Sequence, residues 1–233
     1  MILCSSRYWG DGTGSEKTHL EGLNKLLHPD IYVFWTGERS ITPRITQRAA
    51  ESYRLIVGHK LFIWDNHPPN DDRPTMHLGP LIGRGENLPK VVTGYISNPM
   101  CKQNRLNRLP LYTCADYAYN PSGYEPTRSI NQAIAYIAKN AKQTRILKEL
   151  VETYPGTGIL MIGGNHYYNP VREKFKKLLN ANVSALVAEA YILNFEMLVW
   201  QFDKAFGDYY SAEKATLGDD LRWLRSKLVK TNK

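Results

Sequence analysis

The chain has 233 residues, of which 42% are hydrophobic and 22% are charged. This length and composition exclude a disordered protein and favour one large globular domain, or one domain with a helical appendage. The formal net charge is +8, but the Lys and Arg residues are scattered outside Arg172–Lys177 and Lys227–Lys233. Such residues usually form solvated helix faces, so a nucleic-acid partner is not expected.

The sequence gives little indication of metal, disulfide or membrane chemistry. Cys4, Cys101 and Cys114 are an odd number without zinc-ligand spacing, so we expect three buried thiols and no cofactor. No apolar run approaches the ~20 residues of a membrane span, and the N-terminus has no signal-peptide pattern. As it stands, the chain is expected in the cytoplasm and away from membranes.

The first hundred residues contain four short β-rich runs. They are Ile2–Cys4, Ile31–Trp35, Lys60–Trp64 and Val91–Ile96. Apolar residues at three- and four-residue intervals predict helices between the first three runs, from Glu16 to Leu27 and from Thr42 to Val57. Strand, helix and strand at a period of roughly 30 residues predict the βα units of a parallel sheet.

The pattern becomes helical beyond Ala138. Apolar residues recur at helical spacing in residues 129–154, 169–206 and 212–229, and a Gly- and Pro-containing loop with His166 interrupts them. We expect Trp200 and Trp223 to lie in the helical core. Asp219 and Asp220 are interpreted as solvated residues at a helix start. The chain is therefore divided into residues 1–138 and 139–233.

A polar loop follows each predicted strand. The loops read "CSSRYWGDG", "WTGERSITP", "WDNHPPND" and "SNPM". In parallel α/β folds the ligand site lies beyond the carboxyl ends of the strands. Taken singly, each loop has a local explanation, in which Trp35 and Trp64 close the sheet and Asn66, Asp71 and Asn98 cap helices. Taken together, the four loops favour a site for a polar ligand.

The residue types in these loops suit a neutral polyhydroxylated ligand. Amides and carboxylates hydrogen-bond to hydroxyl groups, and aromatic rings cover the apolar face of a sugar. The segment "GDGTGSEK" from Gly10 lacks the spacing of a phosphate-binding loop. A metal site at Asp65, His67 and Asp71 is a weaker alternative.

Five segments carry a resemblance to a known family. They are "FWTGERSITPRIT" from Phe34, "IWDNHPPNDD" from Ile63, "LGPLIGR" from Leu78, "TGYISNPM" from Thr93 and "LYTCADYAYNPSGYEP" from Leu111. In order and spacing these segments resemble the second half of glycoside hydrolase family 84, which includes O-GlcNAcases and bacterial β-N-acetylglucosaminidases. The resemblance covers roughly Ile2 to Ile137.

The resemblance implies an α/β fold, the second half of a TIM-like (β/α)8 barrel, followed by an all-helical region. It implies a retaining β-N-acetylglucosaminidase that releases terminal N-acetylglucosamine from proteins or glycans. In that chemistry the substrate's own acetamido oxygen forms an oxazoline intermediate, and two adjacent aspartates assist it. Those aspartates are expected upstream of Met1, so no catalytic residue is assigned here. Asp71 and Asp72 are adjacent, but they lie in the sugar-binding loop of the resemblance.

The same resemblance implies a set of substrate-binding residues. Tyr8 looks like the tyrosine that contacts the acetamido group, and residues 64–66 look like the wall of the acetamido pocket. Asp71 is similar to the aspartate that binds the outer sugar hydroxyls, and Asn98 to the asparagine that binds another hydroxyl. The complete set is Tyr8, Trp64, Asp65, Asn66, Asp71 and Asn98.

A half barrel exposes unpaired strand edges and an apolar inner face. We therefore expect this chain to self-associate or to pair with a missing N-terminal half, and to be inactive alone. A truncated gene model or cloned fragment, a split enzyme and a degenerate relative remain open. The alternative function is a noncatalytic module that binds N-acetylglucosamine or related glycans.

Overall fold

The computed structural model describes residues 1–67, 69–70, 75–101, 105–156, 168–181 and 183–231. Within these ranges a parallel sheet occupies the first hundred residues, and helices dominate the remainder. In the described part of the chain, no helix is both long and apolar enough to cross a membrane.

The described strands form a four-stranded parallel sheet in the order of the sequence. The strands are β1 (Ile2–Leu3), β2 (Tyr32–Trp35), β3 (Leu61–Asp65) and β4 (Val92–Ser97). Each one lies within about a residue of its predicted position, so the sequence-based prediction of a parallel sheet is confirmed. Its regular order places all four carboxyl ends along one edge.

Helices α1 (Ser15–Leu26) and α2 (Gln47–Val57) connect the first three strands. They cover one face of the sheet, where Trp35 stacks on Tyr53 in an apolar cluster. Helix α2 begins later than the predicted Thr42 because the Thr46 side chain caps it, accepting a hydrogen bond from the amide of Ala49. It ends at Gly58, whose φ of 67° suits a residue without a Cβ.

The other face of the sheet is aromatic. Phe34 makes edge-to-face contacts with Phe62 and Trp64, at centroid distances of 5.8 and 5.3 Å. A Cβ at Gly94, which pairs in register with Phe62, would lie 2.2 Å from the Phe62 ring. These aromatic residues do not belong to the apolar cluster under α1 and α2. Ile96 on the same face remains 39% exposed.

The rest of the described chain is helical. The α-helices are α3 (Arg108–Tyr119), α4 (Pro126–Ile137), α5 (Ala141–Thr153), α6 (Pro170–Asn180), α7 (Ala185–Phe206) and α8 (Ser211–Thr231). Short 3-10 helices lie at Leu88–Lys90, Pro121–Gly123 and Gly207–Tyr210. The predicted helix 129–154 is interrupted because the Asn140 side chain caps α5, accepting from the amide of Gln143. One apolar core joins these helices to Met76 and Leu78 in the loop after β3.

Two sequence-based expectations about the helical part are wrong. Asp220 is completely buried rather than solvated, and it accepts hydrogen bonds from Tyr154, Asn169 and Arg172 at 2.7–3.1 Å. Trp200, expected in the core, is 54% exposed on α7. Both errors have one cause, because helical periodicity identifies a face but not the element that packs against it.

The Asp220 network should contribute strongly to stability. Asp220→Ala would leave three donors around a buried site without their acceptor, and we expect the free energy of unfolding to fall by about 3 kcal/mol. The adjacent Asp219 offers a matched control, since its side chain is 50% exposed and pairs with exposed Arg222. Asp219→Ala should change stability little. Equal effects of the two substitutions in urea unfolding would contradict this assignment.

Candidate functional site

A cavity of about 250 Å³ lies at the carboxyl edge of the sheet. Each of the four strand ends contributes to its wall. The lining residues are Cys4, Tyr8, Ser40, Ile41, Trp64, Asn66, Pro69 and Asn98. The structure therefore brings together Tyr8, Trp64, Asn66 and Asn98 of the predicted site. Asp71, also predicted, lies outside the described residues.

Asn66 connects three walls of the cavity. Its Oδ1 accepts hydrogen bonds from Trp64 Nε1 at 3.1 Å and from Asn98 Nδ2 at 2.8 Å. Its Nδ2 donates to the Ser40 carbonyl at 2.7 Å. The side chains at the ends of β3 and β4 and the backbone after β2 are thus held by one amide. The Asn98 Oδ1 makes no contact with Asn66, and Asn98 lines the cavity.

The Tyr8 segment is held to β2 by backbone contacts. The Tyr8 carbonyl accepts a hydrogen bond from the Thr36 amide at 2.9 Å, and the Gly10 carbonyl accepts from Trp35 Nε1 at 3.0 Å. The preceding carbonyl, that of Arg7, accepts from the Tyr53 hydroxyl of α2 at 2.6 Å. These bonds fix the loop after β1 although β1 itself is only two residues long.

Asp65 does not line the cavity but forms a buried ion pair behind it. Arg84 Nη2 lies 2.5 Å from Asp65 Oδ1, and Arg84 Nε lies 2.7 Å from Oδ2. The two side chains are 1% and 2% exposed. The Tyr95 hydroxyl also donates to Oδ2 at 2.7 Å. We therefore assign Asp65, predicted among the ligand-binding residues, a positioning role.

Arg84 also donates hydrogen bonds to the backbone. Its Nη1 donates to the carbonyls of Pro43 and Ile82, at 3.1 and 2.9 Å. Burial alone would raise the pKa of Asp65, but the charge and hydrogen bonds of Arg84 outweigh burial and hold that pKa below its usual value. Sequence reasoning missed Arg84. The only signal was that it ends the segment "LGPLIGR", since a buried partner for Asp65 cannot be located by periodicity.

Asn70 braces the loop after β3 rather than lining the cavity. Its Nδ2 donates to the Thr75 carbonyl, and its Oδ1 accepts from the Cys101 amide, each at 2.9 Å. Asn70 is fully buried. In the polar loop after β3, Asn66 therefore lines the cavity, whereas Asp65 and Asn70 hold the loop in place behind it.

Two buried histidines lie in the same connection after β3. His67 is 3% exposed and His77 is fully buried. Among the described residues, neither the His67 Nε2 nor either ring nitrogen of His77 has a hydrogen-bond partner. Burial lowers the pKa of His67 to about 4, a shift that the charge of Asp65 opposes and that of Arg84 increases. Burial, with a smaller contribution from His67, lowers the pKa of His77 to about 3. Both are therefore neutral at pH 7.

The cavity is lined in the described residues by groups that offer hydrogen bonds and an indole surface, but by no carboxylate and no imidazole. Among those residues no three His, Cys, Asp or Glu side chains lie close enough together to hold a metal ion. Of the cysteines, Cys114 is buried as expected, whereas Cys4 and Cys101 are exposed, which corrects the expectation of three buried thiols.

Parallel strands whose ends together line one polar cavity define the class, an α/β protein with a small-ligand site at the carboxyl edge of its sheet. A family model described as beta-N-acetylglucosaminidase matches residues 1–152. The chain belongs to this family. The resemblance to glycoside hydrolase family 84 is thereby confirmed.

Individual relatives agree with this assignment. The chain is 30% identical over 128 residues to Protein O-GlcNAcase of Rattus norvegicus and of Mus musculus, which covers 53% of this chain and 14% of each relative. An O-GlcNAc hydrolase mutant of Thermobaculum terrenum has a similar fold, with a TM-score of 0.76 and 24% identity over 96% of this chain and 48% of that one. CpGH84B gives a TM-score of 0.69 and 21% identity, over 97% and 41% of the two chains. This chain thus spans under half of either solved relative.

The ion pair behind the cavity should be necessary for stability. Arg84→Met would leave the Asp65 carboxylate buried without its cation, and we expect the free energy of unfolding to fall by about 3–5 kcal/mol. Exposed Arg44 lies in the loop that Arg84 contacts, and Arg44→Met serves as the control with little expected change. Chemical unfolding of the two variants at pH 7 makes the comparison. Similar stabilities would contradict the role given to Arg84.

Because two histidines are buried, we expect the protein to lose stability at acidic pH. The pKa values of both histidines are lower in the folded than in the unfolded protein, so the unfolded state binds more protons below pH ~6.5. The free energy of unfolding therefore decreases as the pH is lowered. Between pH 6 and 5 the unfolded state binds nearly two more protons than the folded state, which corresponds to a slope of roughly 2–2.5 kcal/mol per pH unit. His77→Leu should roughly halve that slope, whereas His28→Gln, at an exposed site, should not change it. An unchanged slope in His77→Leu would refute the prediction.

Proposed function

We propose that this chain supplies the N-acetylglucosamine-binding part of a retaining β-N-acetylglucosaminidase. The observation that carries the proposal is the cavity in which Tyr8, Trp64, Asn66 and Asn98 meet at the strand ends. Its volume of about 250 Å³ suits a single sugar unit better than a long glycan. Terminal N-acetylglucosamine on a protein or glycan is the proposed substrate.

Each proposed role follows from the chemistry of the side chain. The Trp64 indole covers the apolar side of the acetamido group, while its Nε1 is occupied by Asn66. Tyr8 contacts the acetamido group, and the free Asn98 Oδ1 accepts from a sugar hydroxyl. Asp71 is proposed to bind the outer hydroxyls. The acetamido oxygen then attacks the anomeric carbon and forms an oxazoline with inversion, while the aglycone leaves with a proton from the general acid. Water opens the oxazoline with a second inversion, so the configuration is retained overall.

The acid and base groups are proposed to come from a polypeptide segment other than residues 1–233. In the described part of the chain no carboxylate lines the cavity, and the side chain of Asp65 is already held by Arg84. We place two adjacent aspartates, one to polarise the acetamido group and one as general acid and base, in the preceding four βα units of the barrel. This chain alone is then inactive.

The sheet supports completion by such a segment. Phe34, Phe62 and Trp64 on its aromatic face belong to none of the apolar clusters found among the described residues. The outer sides of β1 and β4 have no strand partner in those residues. Solved relatives are about twice as long as this chain. We propose that residues 1–138 form half of a TIM-like (β/α)8 barrel, that residues 139–233 form a separate helical region, and that the N-terminal half covers the aromatic face.

The uncharged lining also favours a second candidate, a noncatalytic module that binds N-acetylglucosamine or related glycans. Both functions need the same sugar-binding walls, and only the first needs a donor of paired aspartates. A hydrolysis assay on an aryl N-acetylglucosaminide separates them. The enzyme-part proposal expects no turnover by this chain alone and turnover after co-expression with its N-terminal half. Binding without turnover in both preparations would favour the module.

Sugar binding can be tested independently of turnover through Cys4, an exposed thiol in the cavity wall. In a Cys101→Ser background, a thiazoline mimic of the oxazoline should slow alkylation of Cys4. Asn98→Ala removes a neutral hydrogen bond, and we expect the affinity for the mimic to fall about fivefold, which corresponds to roughly 1 kcal/mol. Asn131→Ala, at an exposed site on α4, is the control. No protection by the mimic, in the chain alone and with its N-terminal half, would refute the assignment of the cavity.

A further inference from the structure

A second cavity, of about 640 Å³, lies where the ends of several helices meet. Its wall is formed by the start of α3, the end of α4, the first turn of α5, the end of α7 and the 3-10 helix that follows α7. It shares no lining residue with the cavity at the strand ends. We call it the helix-end cavity, and its volume lies in the range of small-ligand sites.

Two cationic side chains line the helix-end cavity. Arg108 is the first residue of α3, and Lys139 lies in the turn between α4 and α5. Both are exposed, and neither forms an ion pair with a carboxylate of the described residues. No carboxylate from those residues lines the cavity either. Single exposed cations are ordinary, but two that line one cavity make it positively charged and favour an anionic ligand.

The carboxylates that are close in sequence to the wall are engaged elsewhere. Asp203 lies 2.5 Å and Asp208 lies 3.1 Å from Lys214 of α8. Glu213 is 1% exposed and accepts a hydrogen bond from the backbone N–H of Leu106 at 2.9 Å. None of the three carboxylates lines the helix-end cavity, so its positive charge is left for a ligand.

Aromatic rings form much of the remaining wall. Tyr209 and Tyr210 pack edge to face with their centroids 4.9 Å apart, and the Arg105 guanidinium covers Tyr209 at 3.8 Å from its centroid. Tyr136, at the end of α4, is 78% exposed, and its ring lies 6.4 Å from that of Tyr112. Tyr136 therefore offers the more open ring face, against which a flat ligand group can stack.

Hydrogen bonds hold the wall before a ligand arrives. Gln143 Nε2 donates to the Ala205 carbonyl, and Gln143 Oε1 accepts from the backbone N–H of Lys139, each at 2.8 Å. These bonds tie the turn that carries Lys139 to the end of α7. Arg108 Nη2 donates at 3.3 Å to the hydroxyl of Tyr210, which is 4% exposed. The two cations are thus carried by different elements whose positions are fixed within one wall.

We propose that the helix-end cavity binds a nucleotide, with the phosphates on Arg108 and Lys139 and the base stacked on Tyr136. Guanidinium and ammonium groups both bind phosphate oxygens, and tyrosine rings are stacking platforms for bases. An acidic peptide would also meet the two cations, but it would leave the exposed ring of Tyr136 without a flat partner. The inference concerns a separate cavity and does not depend on the sugar-binding proposal.

Calorimetric titration of the full chain with ADP tests the ligand class. We expect ADP to bind with a Kd below about 1 mM. Pyrophosphate lacks the ring and adenosine lacks the charge, so each should bind roughly tenfold more weakly than ADP or less tightly still. No binding of ADP, equal binding of pyrophosphate, or tighter binding of a hexaglutamate peptide would overturn the proposal.

Substitutions test the location of the bound ADP. Lys139→Gln should weaken ADP binding about tenfold and Tyr136→Ala about fivefold, with circular dichroism unchanged because both side chains are exposed. Lys148→Gln is the matched control, since Lys148 is exposed on α5 but does not line the cavity. Asn98→Ala, in the cavity at the strand ends, should leave ADP binding unchanged.

Two results with these variants would overturn the proposal. If Lys148→Gln weakens ADP binding as much as Lys139→Gln, the attraction is a general effect of net charge. If Asn98→Ala abolishes ADP binding while Lys139→Gln does not change it, ADP occupies the cavity at the strand ends.

Discussion

Two opposite charges, Arg84 and Asp65, meet in the interior behind the cavity, and the geometry of the site depends on them. The guanidinium holds the carboxylate with two hydrogen bonds and ties the end of β3 to the carbonyls of Pro43 and Ile82. Asn66 follows Asp65 directly, and the backbone N–H of Asn98 donates to the backbone carbonyl of Asp65 at 2.7 Å. Fixing Asp65 therefore fixes the amides that line the cavity. Such support from behind is what keeps a binding site in one geometry.

This support explains why a buried apolar strand ends in so many short polar side chains. Hydrogen bonds among Asp65, Asn66 and Asn70 and their neighbours satisfy groups that would be costly to bury alone. Most of the polar atoms after β3 are thus committed to the protein. Ligand selectivity is left to the few that face the cavity, and those are held before a ligand arrives. Binding then costs less ordering entropy.

The sequence sufficed where a local rule governs the structure. Apolar runs at regular spacing located the four strands, and the rule for strand ends brought the four polar loops to one edge of the sheet. The family resemblance singled out Tyr8, Trp64, Asn66 and Asn98, which line one cavity there. It failed where the answer depended on a partner distant in the chain. Asp220 resembled a solvated residue because Tyr154 and Asn169 could not be located from spacing, and Arg84 was missed as the partner of Asp65. The prediction that Trp200 lies in the core was wrong for a similar reason, since periodicity does not say which face of a helix has a neighbour.

Two apolar surfaces remain uncovered in the described residues, and they differ in a way that decides their partners. The sheet face lies between strand edges whose backbone N–H and C=O groups need hydrogen bonds, so apolar contact alone cannot complete it. Water can satisfy edges that stay exposed, whereas further strands, such as those of the proposed barrel segment, would pair with them directly. The backbone of α7 is satisfied within the helix, so its stripe of Leu193, Met197 and Trp200 needs only apolar contact. The first surface therefore adjoins strand edges that lack a strand partner in the described residues, whereas the second has no backbone group that needs one.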